Sequence, residues 1–246
     1  MNYLTLKNIS KSYNKDLILK DINIDIDLKN RFIYSLIGPN GAGKTTLMKV
    51  LGGILYANKG EIFLDDKKLH IESYSQWAKE NAIYLPAGER SLNTRNSGYD
   101  NAIFIGLLKG ENKDILEQRI KKYSSDLNLG DIIYRPIEEL STGQLKKIQI
   151  LVALSSNRKL ILLDEPSIGL DIYGTEELKD VIKNILINED KTIIISSHDI
   201  NLLVEMTDRA IFVFNGEVIN NVDQKLSYEN IKELYFQYKH ERRVFS

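Results

Sequence analysis

The 246-residue sequence contains no cysteine. Disulfides, thiolate-bound zinc and iron–sulfur clusters are therefore excluded, and a reducing compartment, the cytoplasm, is the expected setting. The chain also lacks an excess of either charge, with Lys+Arg 33 against Asp+Glu 34 and a formal net charge of -1. No basic field is available to hold a polyanion non-specifically, so no nucleic-acid partner is expected. Long apolar runs are missing too: Ile148 to Leu154 and Ile103 to Leu108 fall far short of the roughly 18 residues that cross a bilayer. Met1 to Ile9 alternates apolar and polar residues and reads as a strand, not as a signal peptide. Any membrane role is expected to come through a partner.

What is present is a chain with 43% hydrophobic residues, enough to bury a core for one domain with room for a subdomain. Tyr3 to Ile9 and Ile18 to Leu28 have strand periodicity. In the second, Ile22, Ile24, Ile26 and Leu28 share one face, and Asp21, Asn23, Asp25 and Asp27 are expected on the wet one. Phe32 to Ile37 is nearly all apolar, as suits a strand buried on both faces. A helix is expected from Lys44 to about Leu55, short strands at Glu61 to Leu64 and Ile83 to Leu85, and a mostly helical block between Pro86 and Arg158. Strands at Leu160 to Leu163, Thr192 to Ser196 and Ala210 to Phe214 then alternate with helical patterns at Thr175 to Leu186 and Ile200 to Met206, which implies a parallel sheet with helices on its faces. Asn215-Gly216 predicts a hairpin through a type I′ turn. Ser227 is placed to cap a last helix carrying Ile231, Leu234, Tyr235 and Tyr238 on one side.

Three motifs carry chemistry. Gly38-Pro39-Asn40-Gly41-Ala42-Gly43-Lys44-Thr45 stands after the buried strand and opens a helix, the setting in which glycine-freed backbone N–H groups and a helix dipole hold phosphates. Lys44 would reach the β and γ phosphates, and the Thr45 hydroxyl would ligate Mg²⁺. Asp164-Glu165 ends a hydrophobic strand, so Asp164 is expected in the same crevice, completing the Mg²⁺ shell, with Glu165 accepting a proton from attacking water. Alone, such a pair reads equally as an acidic loop. Leu140-Ser141-Thr142-Gly143-Gln144 opens a helical pattern and offers a second anion site through the Ser141 hydroxyl, the Gly143 N–H and the helix terminus, or, taken alone, a simple helix cap.

This last motif resembles the signature of ABC ATPases, usually LSGGQ, and with the others in the family's order the resemblance extends over nearly the whole chain. It implies an α/β fold: a phosphate-loop core with a mainly parallel sheet, an antiparallel β subdomain (both within 1–86 and 159–246) and a helical subdomain at 87–158. It implies ATP and Mg²⁺ as ligands. Gly38 to Thr46 hold the nucleotide and Tyr13 stacks on the adenine. Ser141, Thr142, Gly143 and Gln144 complete the site of a sister subunit, and Asp171, in Gly169-Leu170-Asp171, links the two sites. Thr45 and Asp164 serve the metal, and Lys44, Glu165 and His198, in Ile195 to Asp199, serve catalysis. It further implies a dimer, homodimeric or with a paired ABC subunit, acting on a separate transmembrane permease docked near Pro86 to Gly110 on the inner face of the cell membrane. The family's Gln after the strand Ile83 to Leu85 is absent and Ala87 takes its place: either Glu89 substitutes as a polar ligand or the site runs with a thinner shell, and the segment resembles that of some drug- and antibiotic-export subunits. An exporter is therefore expected, with a soluble non-transport ABC protein as the alternative.

Overall fold

The computed structural model describes residues 3–88, 92–188, 190–197, 199–222 and 227–241. An antiparallel sheet combines strands Tyr3–Tyr13 (β1), Asp16–Asp27 (β2), Lys59–Leu64 (β4) and Lys67–Leu69 (β5) in the order β2-β1-β4-β5. A second sheet has the order β10-β9-β3-β8-β7-β6, from Ile33–Ile37 (β3), Ala82–Leu85 (β6), Leu160–Asp164 (β7), Thr192–Ser196 (β8), Arg209–Phe214 (β9) and Glu217–Val222 (β10). Its strands β9, β3, β8, β7 and β6 are parallel, while β10 returns antiparallel to β9. The turn between them has φ 48° at Asn215 and 82° at Gly216, as a type I′ hairpin requires.

The mostly apolar central strands divide their residues between two cores by simple alternation. Ile33 and Ile37, Ile161 and Leu163, and Ile193 and Ile195 face one cluster; Tyr34 and Leu36, Leu160 and Leu162, and Ile194 face the other. The first cluster takes in helices Gly98–Leu108 (α3), Lys113–Asp126 (α4), Thr142–Ser155 (α5), Ile172–Asn188 (α6), Ile200–Met206 (α7) and Tyr228–Glu241 (α8). The second seals the antiparallel sheet onto Lys44–Leu51 (α1) and Ile71–Asn81 (α2). A helical block thus lies on one side of the central sheet and the β layer on the other, with the carboxyl ends of β3, β7 and β8 sharing one edge.

Three expectations need correction. Asp27 is not on the wet face: it is 1% exposed and accepts bonds from the N–H groups of Lys29 (2.8 Å) and Asn30 (3.0 Å) and from Asn30 Nδ2 (2.7 Å), turning the chain out of β2. Burial pushes its carboxyl up, and those bonds outweigh burial and hold it below the usual value. The first helix ends at Leu51, not Leu55, because Gly52 and Gly53 follow and Gly53 leaves helical space at φ 65°. Helix α2, before the expected helical block, buries Tyr74, Trp77 and Ala78 on one stripe, and Tyr74 donates its O–H to Leu51 O at 2.6 Å.

Where α2, α3 and α5 end, one cation serves two helix termini. Arg158, just past α5, donates to Glu80 O and, at 2.7 Å, to Lys109 O, and lies 3.6 Å from Glu111 Oε1. Lys109 sits beside it, and burial, then Arg158 and Lys79, push its ammonium down to about 8. A lysine whose folded pKa is depressed charges less readily in the folded state, so its destabilising contribution is greatest below pH 8 and fades as pH rises toward its ordinary value. Lys109→Met is therefore expected to raise the unfolding midpoint by about 2–4 °C at pH 7, with the gain shrinking by pH 10. Thermal scans at the two pH values check this; an equal gain at both would assign the effect to packing.

Candidate nucleotide site

The turn after β3 is shaped by glycine where nothing larger fits. A Cβ on Gly38 would lie 1.9 Å from Val213 O, and Gly43, at φ 101°, caps α1 in a conformation closed to ordinary side chains. Among the described residues no side chain caps α1, so its first N–H groups remain directed into the loop. The loop is braced from outside: Gly216 N–H donates to Ala42 O at 3.0 Å, and Gly216 O accepts from Lys20 N–H at 2.7 Å. Lys44 is buried at 7% exposure and donates to Gly38 O (2.7 Å) and Pro39 O (3.1 Å). Burial pulls its ammonium below the ordinary lysine value, against the opposing fields of Glu165 and Asp164.

Opposite Lys44, the Asp164 carboxylate is 2% exposed and saturated with hydroxyl donors. Its Oδ2 accepts from Thr45 Oγ1 at 2.8 Å and from the Tyr84 phenol at 2.9 Å, and its Oδ1 from Ser196 Oγ at 2.6 Å. Burial, then the neighbouring Asp164 charge, raise the Tyr84 phenol, so it stays protonated and donates. Glu165, next along, adopts φ 49°, a left-handed conformation costing about 1–3 kcal/mol in a non-glycine residue. Its N–H is anchored to Ser196 O (3.1 Å) and Ser196 Oγ (3.0 Å). This kink turns the residue into a cavity of about 290 Å³ lined by Tyr13, Ile18, residues 40–46 and Glu165. Tyr13 stands at the rim, 43% exposed, with Lys11 Nζ 5.8 Å from its ring centre.

The chemistry of these donors fits a nucleotide with a hard divalent cation. A Cβ on Gly41 would meet nothing within 4 Å, so the loop backbone faces open space of the kind a phosphate fills. Thr45 and Asp164 supply oxygen ligands side by side, and among the described residues no group of three or more His, Cys, Asp or Glu could hold a metal by itself. Magnesium suits such a sparse set, since it takes one or two protein oxygens and completes its shell with phosphate and water.

Ser141 to Gln144 lie elsewhere. Ser141 caps α5, accepting from Gln144 N–H at 3.3 Å while Gln144 Oε1 accepts from Ser141 N–H at 3.1 Å. Thr142 covers Gly169, where a Cβ would come within 2.6 Å of Thr142 Cγ2. Gly143, Gln144, Leu170 and Asp171 line a second cavity of about 360 Å³, and among the described residues none lines both cavities. Asp171 Oδ1 accepts from Gly174 N–H at 2.7 Å. His198 and Glu89 lie outside the described residues. Ala87 is exposed, and Gly88 O accepts a 2.7 Å bond from Nε2 of the fully buried Gln149 on α5. Sequence reasoning missed Tyr84 and Gln149; a phenol near the carboxyl end of a parallel strand was the available signal for the first.

A glycine-rich loop that opens a helix after β3, a buried lysine inside it and an acid pair at the end of β7, across β8, are the layout of a phosphate-loop nucleoside triphosphatase. The chain belongs to the ABC transporter family, whose profile matches residues 19–168, and it is an ATPase of that family. It is 32% identical over 234 residues to the lantibiotic transport ATP-binding protein SrtF of Streptococcus pyogenes, covering 94% of this chain and 95% of that one. It is also 32% identical over 226 residues to the spermidine/putrescine import ATP-binding protein PotA of Mycoplasma mycoides subsp. mycoides, covering 88% of this chain and 60% of PotA. Among solved structures, cbiO1 of Clostridium perfringens, part of the ABC transporter complex cbiONQ, has a TM-score of 0.79 at 25% identity, over 99% of this chain and 95% of that one.

Proposed function

We propose that this chain is the ATP-hydrolysing subunit of an exporter, working as a dimer on the cytoplasmic face of a membrane. ATP lies in the cavity of Gly38 to Thr46, its adenine against Tyr13. Lys44 leaves the Gly38 and Pro39 carbonyls to meet the β and γ phosphates. Thr45 and Asp164 hold Mg²⁺, which would offset phosphate charge. Glu165 accepts the proton of the attacking water, and His198 contacts the γ phosphate. Residues 1–86 and 159–246 act as the catalytic core, and 87–158 as the helical subdomain that carries Ser141.

The observation that carries this reading is that the Ser141 to Gln144 turn stands outside the phosphate-loop cavity, none of its four residues lining it. A second copy, or a paired ABC subunit, brings its cap to the first copy's nucleotide. Apolar side chains beside the cap are left for that partner, with Ile168 49%, Ile172 80% and Tyr173 83% exposed. On α3, Phe104 and Leu108, 59% and 64% exposed, offer the permease a greasy face. Export is supported by the near full-length similarity to a lantibiotic transport protein and by Ala87 in place of the glutamine. No observation favours the soluble alternative.

Gly143→Asp tests the reading. The nearest atom to an added Cβ is 3.8 Å away, at Leu170, and an acid in the first turn suits the helix dipole, so the fold tolerates it. A carboxylate facing a sister subunit's γ phosphate is expected to weaken ATP-dependent dimerisation by about tenfold or more, as like charges juxtaposed across an interface cost several kcal/mol. Sedimentation with ATP measures the dimer and calorimetry the monomer's affinity. Loss of monomer binding, or intact dimerisation, would place the cap elsewhere.

A further inference from the structure

The three hydroxyls on Asp164 come from three elements, and they are not equivalent once a cation is present. Thr45 belongs to α1 and Ser196 to β8, whereas Tyr84 stands on β6, paired with Leu162, two residues before Asp164 on the neighbouring strand. Thr45 and Tyr84 share Oδ2, at 2.8 Å and 2.9 Å, and Ser196 takes Oδ1 at 2.6 Å. A threonine that offers an oxygen lone pair to a metal keeps its proton, but its hydroxyl is then oriented by the metal as well as by Asp164. The phenol is the second donor on Oδ2 and holds its direction independently of the threonine. The Tyr84 backbone is well placed to stay still, since its strand is hydrogen-bonded to β7 and its Cβ would stand 3.4 Å from a Cβ on Gly52, against the end of α1. The following segment is tied down as well, by Gln149 Nε2 on Gly88 O.

We propose that Tyr84 is a positioning residue for the cation: its O–H fixes the Asp164 carboxylate beside the metal that Thr45 meets. It touches neither nucleotide nor metal and acts through Asp164, as carboxylate-orienting hydrogen bonds commonly do in metal sites. The proposal rests on the reading of Asp164 as the acid of the magnesium site.

Manganese is the probe. Mn²⁺ binding to the full chain with ADP is followed by electron paramagnetic resonance for the parent protein, Tyr84→Phe and Asp164→Asn, and nucleotide affinity is measured in parallel with EDTA. Tyr84→Phe keeps the ring and is expected to weaken Mn²⁺ binding about tenfold, with metal-free nucleotide affinity unchanged. The Mg²⁺ concentration for half-maximal ATPase rises by the same factor while the rate at saturating Mg²⁺ is retained. Unchanged Mn²⁺ affinity in Tyr84→Phe, with weaker binding in Asp164→Asn, overturns the proposal alone. Unchanged affinity in both variants overturns the reading of Asp164 with it. An equal loss of metal-free nucleotide binding in Tyr84→Phe assigns the tyrosine a packing role and also overturns the proposal.

Discussion

Glu165→Gln is expected to lower ATP turnover by about a hundredfold to ten-thousandfold, the range contributed by a positioned general base. Gln keeps the shape of Glu165 and adopts the same left-handed backbone, with its N–H still on Ser196 O and Ser196 Oγ, so the cavity lined by Tyr13, residues 40–46 and residue 165 is retained. Nucleotide affinity therefore changes little, and ATP that binds is not consumed. The visible consequence is a stable ATP-dependent dimer, measured by light scattering after gel filtration, alongside phosphate release near background. Turnover within a few-fold of the parent would remove Glu165 from the role of base and leave it as an acidic wall of the cavity.

Lys44→Ala has the second large expected effect, and on a different quantity. The ammonium is buried beside Asp164 and Glu165 and spends its hydrogen bonds on Gly38 O and Pro39 O, two carbonyls that hold it inside the loop. Exchanging those carbonyls for phosphate oxygens replaces neutral acceptors with charged ones. Each charge-assisted bond contributes about 1.5–3 kcal/mol, so removing the ammonium is expected to weaken ATP binding by roughly a hundredfold or more. The unfolding midpoint without nucleotide should move little, because desolvating the ammonium already offsets much of what its two bonds supply. Titration calorimetry and a thermal scan separate the two effects; ATP affinity within twofold of the parent would overturn the assignment.

The parts of this molecule that were legible in its sequence are those where one periodicity serves one environment. Ile22, Ile24 and Ile26 alternate with acids and amides and form the buried face of β2. The all-apolar runs became the parallel strands, and alternation sends their residues to two different cores. Asp27 departed from its strand's pattern because the turn at Lys29 and Asn30 needed an acceptor more than the surface needed a charge. Helix α2 was hidden because Ser73, Ser75 and Gln76 dilute its apolar stripe to Tyr74, Trp77 and Ala78. In the nucleotide site, the phosphate loop, the acid pair and the signature turn were readable as contiguous motifs. Tyr84, Gln149 and the double use of Ser196 were not, since each meets its partner across 31 residues or more of chain, a proximity created by sheet order for the first and last and by the packing of α5 for Gln149.

Hairpin tips are usually the safest places to cut a chain, append a label or splice in a guest domain. The tip at Asn215-Gly216 is a poor choice here, because Gly216 joins Ala42 on one side to Lys20 on the other, and a side-chain carbon at Gly216 would lie 2.1 Å from Ile18 O. A permuted or tagged version opened at this point would lose its hold on the nucleotide while its two sheets remained intact.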